Sequence, residues 1–389
     1  MLSDNEVIDR ILHHIDHNTT DMGEEDWLEP VENYHSLERF AAEQRLARHL
    51  PVPFCPTAAL SETGSYVARI AAGTPLVVVK DEEGEIRGFR NACRHRGKQV
   101  ALGSGTTKIF KCTYHGWAYR LDGRLEYIPG EHGFPNFDKA CHGLVPVKVD
   151  VKGGLVFVTQ DEPLANTILD DLPDMIPEDL GVFQTSEGVT DVNWKLNMEA
   201  TMEGYHIKTT HPESFFPYGY DNLNVIEQIG PHGRVTFPFR RIERMRDVPP
   251  EERTVDRMLT YVYNVFPYAT VAKLSNHTSV TISEPLTPTS TRFHLCKLGE
   301  TREAGGVERA KKDASFLADT GLQEDNAAIR EIQAGLFSGA NEHFTYGRFQ
   351  QAIVHFHKNL HRDLAALETL EAATTNPTTQ KDRIACQQI

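Results

Sequence analysis

Between residues 65 and 160 the apolar positions fall in short runs, PLVVVKDEEGEIRGF, KIFKCTYHGWAYRLDG and LVPVKVDVKGGLVFVTQ, each closed by Gly or Asp. Runs of this length, rich in Val, Ile and Phe and cut by turn residues, predict the strands of a small all-β domain. Ahead of them the period changes. In SLERFAAEQRLARHL, residues 36–50, Leu37, Phe40, Ala41, Ala47 and Leu50 fall on one helical face with Ser36 placed as a cap, which predicts an amphipathic lead-in helix. Behind them, PLANTILDDLPDMIPEDLGVFQTSE is rich in Pro and Asp and marks a boundary. A larger mixed domain follows: DVNWKLNMEATMEGYH, then β-like runs such as RVTFPF, YVYNVF, HTSVTISEPL and TRFHLCKL, then helices. In the last helix Phe349, Ile353, Phe356, Leu360 and Leu364 recur at three- and four-residue steps and form one apolar stripe.

The pattern divides the chain into a helical lead-in (1–50), a β domain (51–162), a mixed domain (163–368) and a flexible tail (369–389) whose text is polar and aperiodic. A length of 389 residues fits two or three domains. There is no internal repeat.

Composition narrows the partners. A formal charge of −15 argues against nucleic acid or an anionic membrane and for a small molecule or a protein partner. The N-terminus, MLSDNEVIDRILHHIDHN, has acids and histidines where an export signal has a basic stretch and an apolar run. No stretch approaches the roughly 18 apolar residues of a membrane span. The expected location is the cytoplasm. Six cysteines, Cys55, Cys93, Cys112, Cys141, Cys296 and Cys386, are too scattered for a disulfide framework, and only Cys93 and Cys112 have histidines close by.

Those two carry the first candidate chemistry. Cys93 and His95 stand two apart in FRNACRHRGKQV; after a sixteen-residue gap Cys112 and His115 stand three apart in KCTYHGW. Two thiolates and two imidazoles suit either a tetrahedral zinc or a [2Fe–2S] cluster in which one iron takes both cysteines and the other both histidines. Zinc loops of this composition usually supply like ligands, whereas each loop here supplies one of each, which suits two inequivalent irons. Through CRHRG and CTYHGW the segment resembles the Rieske iron–sulfur domain. Respiratory Rieske proteins carry an extra cysteine in each loop, and these loops have none, so the resemblance is to the oxygenase and ferredoxin branch. Arg94, Arg96 and Lys98 read either as solvated charges or as a guide for a redox partner.

The second segment is NWKLNMEATMEGYHIKTTHP, residues 193–212. His206 and His211 are five apart, so a helix carrying them must bend or end between them. Two imidazoles with one carboxylate make the facial triad of mononuclear Fe(II) oxygenases. Trp194, Lys195, Glu199, Glu203, His206 and His211 resemble, in order, the signature of the catalytic domain of Rieske non-haem iron oxygenases, the large (alpha) subunits of the aromatic-ring-hydroxylating family. That resemblance implies a third ligand at the start of a late helix, where LQEDNAAIREIQAGL offers Asp325 ahead of its neighbour Glu324, with Ala328, Ile329, Ile332 and Leu336 at helical spacing. It also implies that Glu203 links a Rieske histidine of one subunit to an iron-ligand histidine of the next. Glu203 departs from the Asp usual in ring-hydroxylating dioxygenases and matches some monooxygenases. Glu199 reads equally as functional or as a helix anchor, while His277, His294, His343, His355 and His357 stand alone and read as structural.

The resemblance implies an α+β protein: an all-β Rieske [2Fe–2S] domain plus a mixed α/β catalytic domain of helix-grip type, with an antiparallel sheet and covering helices. It further implies a homotrimer, with or without a small beta subunit. Electrons would come from NAD(P)H through a separate reductase, with or without a ferredoxin, since no Gly-rich phosphate-binding fingerprint follows a strand. The expected reaction is O2-dependent hydroxylation of an aromatic or similarly apolar compound; the alternative is monooxygenation of a quaternary or methylated amine. A pure electron carrier would show the first constellation without the second. Arg234, Arg240, Arg241, Arg244 and Arg246 read either as partners for a substrate carboxylate or as a solvated loop.

Overall fold

The computed structural model describes residues 1–164, 168–319 and 321–374. Its architecture is the expected α+β pair of sheets, antiparallel in the pairings of each. The first sheet has the spatial order Val52–Pro56, Leu155–Thr159, Pro146–Lys152, Ile86–Arg90, Thr74–Lys80, Ser65–Ala71, Gly103–Thr106. A three-stranded sheet, Phe110–Lys111, Ala118–Tyr119 and Leu125–Tyr127, lies beside it. Side chains alternate across a strand, so Thr74–Lys80 serves two cores. Val77 and Val79 join Phe89, Phe110, Trp117 and Tyr119 around the cysteine loops, while Leu76 and Val78 face a larger core shared with the rest of the chain.

The second sheet runs Leu180–Thr190, Ser290–Glu300, Thr278–Thr287, Ala269–Lys273, Leu259–Val265, His232–Pro238, Val225–Ile229. Seven helices are used below: α1 (Asp4–His17), α2 (Leu37–His49), α3 (Trp194–Glu199), α4 (Ile207–Thr210), α5 (Gly306–Asp319), α6 (Gly321–Gly335) and α7 (Gln351–Thr374). Helix α7 covers the edge strand Val225–Ile229 and its neighbour His232–Pro238, as a helix-grip arrangement requires. Its stripe is as predicted at Ile353, Phe356, Leu360 and Leu364, all buried; Phe349 precedes the helix, half-buried against Tyr205. The helix continues past Leu370 to Thr374, so residues 369–374 are helical, and 375–389 of the predicted tail lie outside the described residues.

The lead-in is no separate unit. A capping box at Ser3 and Glu6 starts α1, whose Val7, Ile8 and Ile11 are fully buried in the shared core against the second sheet. Helix α2 begins at the predicted Ser36 cap and buries the predicted Ala47, with Leu50 at its end, but its first turns are rotated from the face the apolar residues outline. Leu37 is 76% exposed, and the inward residues are Glu43, Leu46, Ala47 and Leu50. A charge is drawn inward because α2 docks on the start of α3. The Glu43 carboxylate accepts from Lys195 Nζ at 2.8 and 3.0 Å and from Trp194 Nε1 at 3.1 Å, and Lys195 and Trp194 are both fully buried.

Candidate metal centres

The two cysteine loops are built alike. In each, the cysteine N–H donates to the carbonyl five residues on, Cys93 to Lys98 and Cys112 to Trp117, both at 2.8 Å. In each, the N–H of a glycine four residues on returns to the cysteine carbonyl, from Gly97 at 2.8 Å and Gly116 at 2.9 Å. The return needs a left-handed residue, and both glycines supply it with φ of +75° and +78°. Both cysteines are 3% exposed. The Cys93 Sγ lies 3.2 Å from the buried Tyr119 hydroxyl, which also accepts from Arg94 N at 2.9 Å. Burial first, then the Cys93 contact, pushes the Tyr119 phenol above its ordinary range.

The loops bring the predicted four together. The His95 and His115 rings lie 4.6 Å apart, and His95 stacks on Trp117 with an interplanar angle of 8°. Burial, then the neighbouring His115 and Arg96, lowers the His95 pKa and favours the neutral imidazole a metal needs. His95 Nδ1 is buried with no protein partner, as a ligand atom would be. The donor set fits a two-iron cluster.

In the second sheet's domain, the signature segment folds as two short helices with a break between them. Asn193 caps α3 through its side chain, and Gly204 at the break passes so close to Asn224 that a Cβ would meet its Oδ1 at 2.5 Å. The helical turn α4 then spans the two histidines: His206 sits at its N-cap and His211 at its C-cap, where the helix ends. Across from them α6 presents Asp325. His211 Nε2 lies 2.8 Å and His206 Nε2 3.5 Å from Asp325 Oδ1. His211 Nε2 is buried and out of line for a hydrogen bond at that distance, as expected of a lone pair aimed at a metal. His206, His211 and Asp325 converge within 4.8 Å.

The opposite ring nitrogens are held by carboxylates. His206 Nδ1 pairs with Glu203 Oε1, and the other Glu203 oxygen accepts from Tyr205 N. His211 Nδ1 pairs with Glu324 Oε2 at 2.7 Å, and Ser214 Oγ donates to the same oxygen at 2.5 Å. Such partners fix the tautomer and turn Nε2 toward the ion. Burial disfavours charge on His206, but the neighbouring Asp325 and Glu203 carboxylates outweigh it and raise its pKa to about 10; burial notwithstanding, the two imidazoles hold Asp325 below the usual carboxylate range. The site is electrostatically built for a cation, and its donors fit mononuclear iron.

Sequence reasoning singled out Asp325 and left Glu324 as a rival ligand; the structure brings both to the site in different positions. It missed Ser214. The ring of Phe215, next along the chain, lies 4.7 Å from His211 and fills the space over Gly321, where a Cβ would meet Phe215 Cζ at 2.0 Å. The outlined α6 stripe is also amended: Ile329 and Leu336 are buried, but Ile332 is 44% exposed and the inward residue is Gln333, which accepts from Asn193 N at 2.7 Å. The arginines do not converge. Arg234 is buried on Glu227, Arg246 pairs with Asp16, and Arg240 lies over Phe216 and Tyr220.

A β domain presenting two Cys/His loops, joined to a helix-grip domain with a His–His–Asp triad, defines a two-centre iron protein. Family comparison agrees in both halves: residues 51–138 match the Rieske [2Fe-2S] domain and residues 177–366 the ring hydroxylating alpha subunit (catalytic domain). The chain belongs to the Rieske oxygenase large subunits, whose cofactors are a Rieske cluster and a mononuclear iron. Among relatives, the glycine betaine monooxygenase oxygenase subunit of Chromohalobacter salexigens is 34% identical over 192 residues, 47% of this chain and 43% of the relative. The carnitine monooxygenase oxygenase subunit of Escherichia coli K12 is 34% identical over 163 residues, 39% and 43% of the two chains. These matches span less than half the length of the relatives. Among solved structures, the quaternary ammonium Rieske monooxygenase CntA with L-carnitine superposes with a TM-score of 0.73 at 21% identity, covering 94% of this chain and 99% of that one. Naphthalene 1,2-dioxygenase from Rhodococcus gives 0.71 at 21% identity with the same coverage. No described helix is long and apolar enough to cross a membrane.

Proposed function

We propose that this chain is the terminal oxygenase component of a multicomponent Rieske system, with Cys93, His95, Cys112 and His115 holding the cluster and His206, His211 and Asp325 the mononuclear iron. The observation that carries the reading is the triad with both outward imidazole nitrogens anchored on carboxylates, in a chain that also has the paired cysteine loops. Bound there, the cluster supplies electrons from an NAD(P)H-dependent reductase and the iron supplies O2 activation for substrate hydroxylation. The protein's part is to hold the ligands. Glu203 keeps the proton on His206 Nδ1, Glu324 with Ser214 does so for His211, and Phe215 covers one face of the His211 ring.

The substrate we propose is a quaternary or methylated amine, hydroxylated at a carbon next to nitrogen. The names of the glycine betaine and carnitine relatives support it, as does Glu203 where dioxygenases usually have Asp. An aromatic substrate is the second reading, favoured by the 32% identity over 172 residues to the anthranilate 1,2-dioxygenase large subunit of Acinetobacter baylyi. For assembly we propose a homotrimer in which Glu203 faces a Rieske histidine of the neighbouring subunit. Its support is apolar exposure near both centres: Leu102 and Tyr114 at 72% and 55% by the cluster loops, Tyr205 and Leu322 at 57% and 48% by the triad. Complementary patches at two different places on one chain close into a ring.

The test is an EPR titration of reduced, anaerobic protein with nitric oxide, repeated with a quaternary amine, an aromatic acid and an aromatic hydrocarbon. A nitric oxide signal that shifts with the amine alone upholds the whole reading; a shift with an aromatic compound alone installs the second. A reduced cluster signal with no nitric oxide signal in iron-replete protein makes the chain an electron carrier.

A further inference from the structure

His357, which stands alone in the sequence, has close company in the fold. Helix α7 carries it four residues before His361, the spacing that puts two side chains on one helical face. Opposite them the short strand Trp27–Pro30 supplies Glu29. His357 and Glu29 are 0% exposed, and the His361 side chain is 33% exposed. One ligand atom from each lies within 4.8 Å of the others, making this, with the iron triad, one of two such convergent groups among the described residues.

The hydrogen bonds leave one atom unexplained. His357 Nε2 lies 2.9 Å from Glu199 Oε1, so the proton on that nitrogen is taken up by a carboxylate. The same Glu199 is fixed by Tyr34 at 2.7 Å and Tyr346 at 2.8 Å. That leaves His357 Nδ1, buried and without a partner, facing Glu29 Oε1 at 3.5 Å. Two acceptors pointed at each other in a buried space repel unless positive charge lies between them. Glu29 is itself held in place by donors, Trp27 Nε1 at 2.9 Å and Asn33 Nδ2 at 2.7 Å, and His361 Nε2 lies 3.0 Å from its other oxygen.

We propose that Glu29, His357 and His361 form a third metal centre, a structural site for a divalent cation of the zinc class. The donor set, two imidazoles and one carboxylate, is a zinc set, and metal–ligand bonds of about 2.1 Å in a tetrahedron put ligand atoms about 3.4 Å apart. One Glu29 oxygen, Oε1, lies 3.5 Å from His357 Nδ1 and 3.1 Å from His361 Nε2, and the two separations bracket that value. The Glu199–His357 contact is the carboxylate–histidine pairing that supports a metal ligand from behind. Charge balances as well, because a dication offsets the two buried carboxylates. The fourth position opens beside the part-exposed His361. Bound there, the ion would pin α7 to the strand Trp27–Pro30.

The experiment is elemental analysis of the iron-loaded full chain, equilibrated with zinc chloride and desalted, as wild type, His361→Ala, Glu29→Gln and Asp325→Ala. The expected result is about one zinc per chain that survives Asp325→Ala and disappears in His361→Ala and Glu29→Gln, with the cluster spectrum unchanged. Zinc lost only in Asp325→Ala, or equal in all four proteins, or absent from the wild type, overturns the site. Should the triad variants not fold, anomalous scattering at the zinc edge from wild-type crystals decides alone: a peak among the three side chains upholds the site and its absence overturns it.

Discussion

The two iron centres are held by different means. Around the cluster loops the main chain does the positioning: paired amide–carbonyl contacts, a left-handed glycine in each loop and thiols sunk into a small core. Around the triad, side chains do it, and they come from far along the sequence; His211 and Glu324 are 113 residues apart. A centre built from local backbone is transportable and legible as a motif. A centre built from distant side chains depends on how the whole domain packs.

The sharpest break between them is a pair of substitutions. Asp325→Ala should abolish substrate hydroxylation and empty the mononuclear site while the Rieske visible and EPR spectra persist; Cys112→Ser should erase those spectra and leave mononuclear iron countable by metal analysis. Loss of both centres in either variant would show that they are not independently held. Next in size is Glu43→Ala. Without its partner, Lys195 is a fully buried, unpaired ammonium at the root of α3, and the expected cost is about 3–5 kcal/mol, read as a lowered denaturation midpoint.

Acid should find the catalytic sheet through His232. Its Nε2–H donates to Ile168 O at 2.8 Å and its Nδ1 accepts from Phe266 N at 3.0 Å, so the ring is neutral in the fold; burial lowers its pKa from 6.5 to about 4. Between those values the unfolded chain binds the proton that the folded one refuses, so stability falls as pH drops through that window, by on the order of 3 kcal/mol at most. His232→Gln should flatten that part of the stability–pH curve, and an unchanged slope would assign the acid sensitivity elsewhere. Smaller again, Glu324→Gln should weaken iron retention about 10–100-fold against a chelator without abolishing it, as fits an orienting group and not a ligand. The smallest effects belong to the backbone-held centre: Gly97→Ala and Gly116→Ala should each cost about 1 kcal/mol, with Gly116 the worse because a Cβ there meets Pro129 Cγ at 3.0 Å.

The same contrast explains what could be read from the sequence. The short β runs, the Ser36 cap, the α7 stripe from Ile353 onward and the two Cys/His loops are local patterns, legible because each rests on neighbouring residues. His206 and His211 were legible as a pair, though the helix break precedes them at Gly204. What stayed hidden is whatever depends on long-range packing. Glu43 turns a polar face of α2 inward because Lys195 waits there, and Gln333 takes the place expected of Ile332 because Asn193 N needs an acceptor. Ser214 and the company of His357 had no signal in spacing at all.

The strand Thr74–Lys80, whose successive valines face opposite cores, has a consequence for the history of this architecture. A cluster domain cut free along this sheet would leave Leu76, Val78, Leu155 and Phe157 bare to water, an adhesive surface on a molecule meant to shuttle electrons. The electron-delivering half is therefore committed to its partner. Recombination that trades one such half for another has to carry the matching face with it, and inheritance of the two halves as a single unit is the simplest way to keep that match.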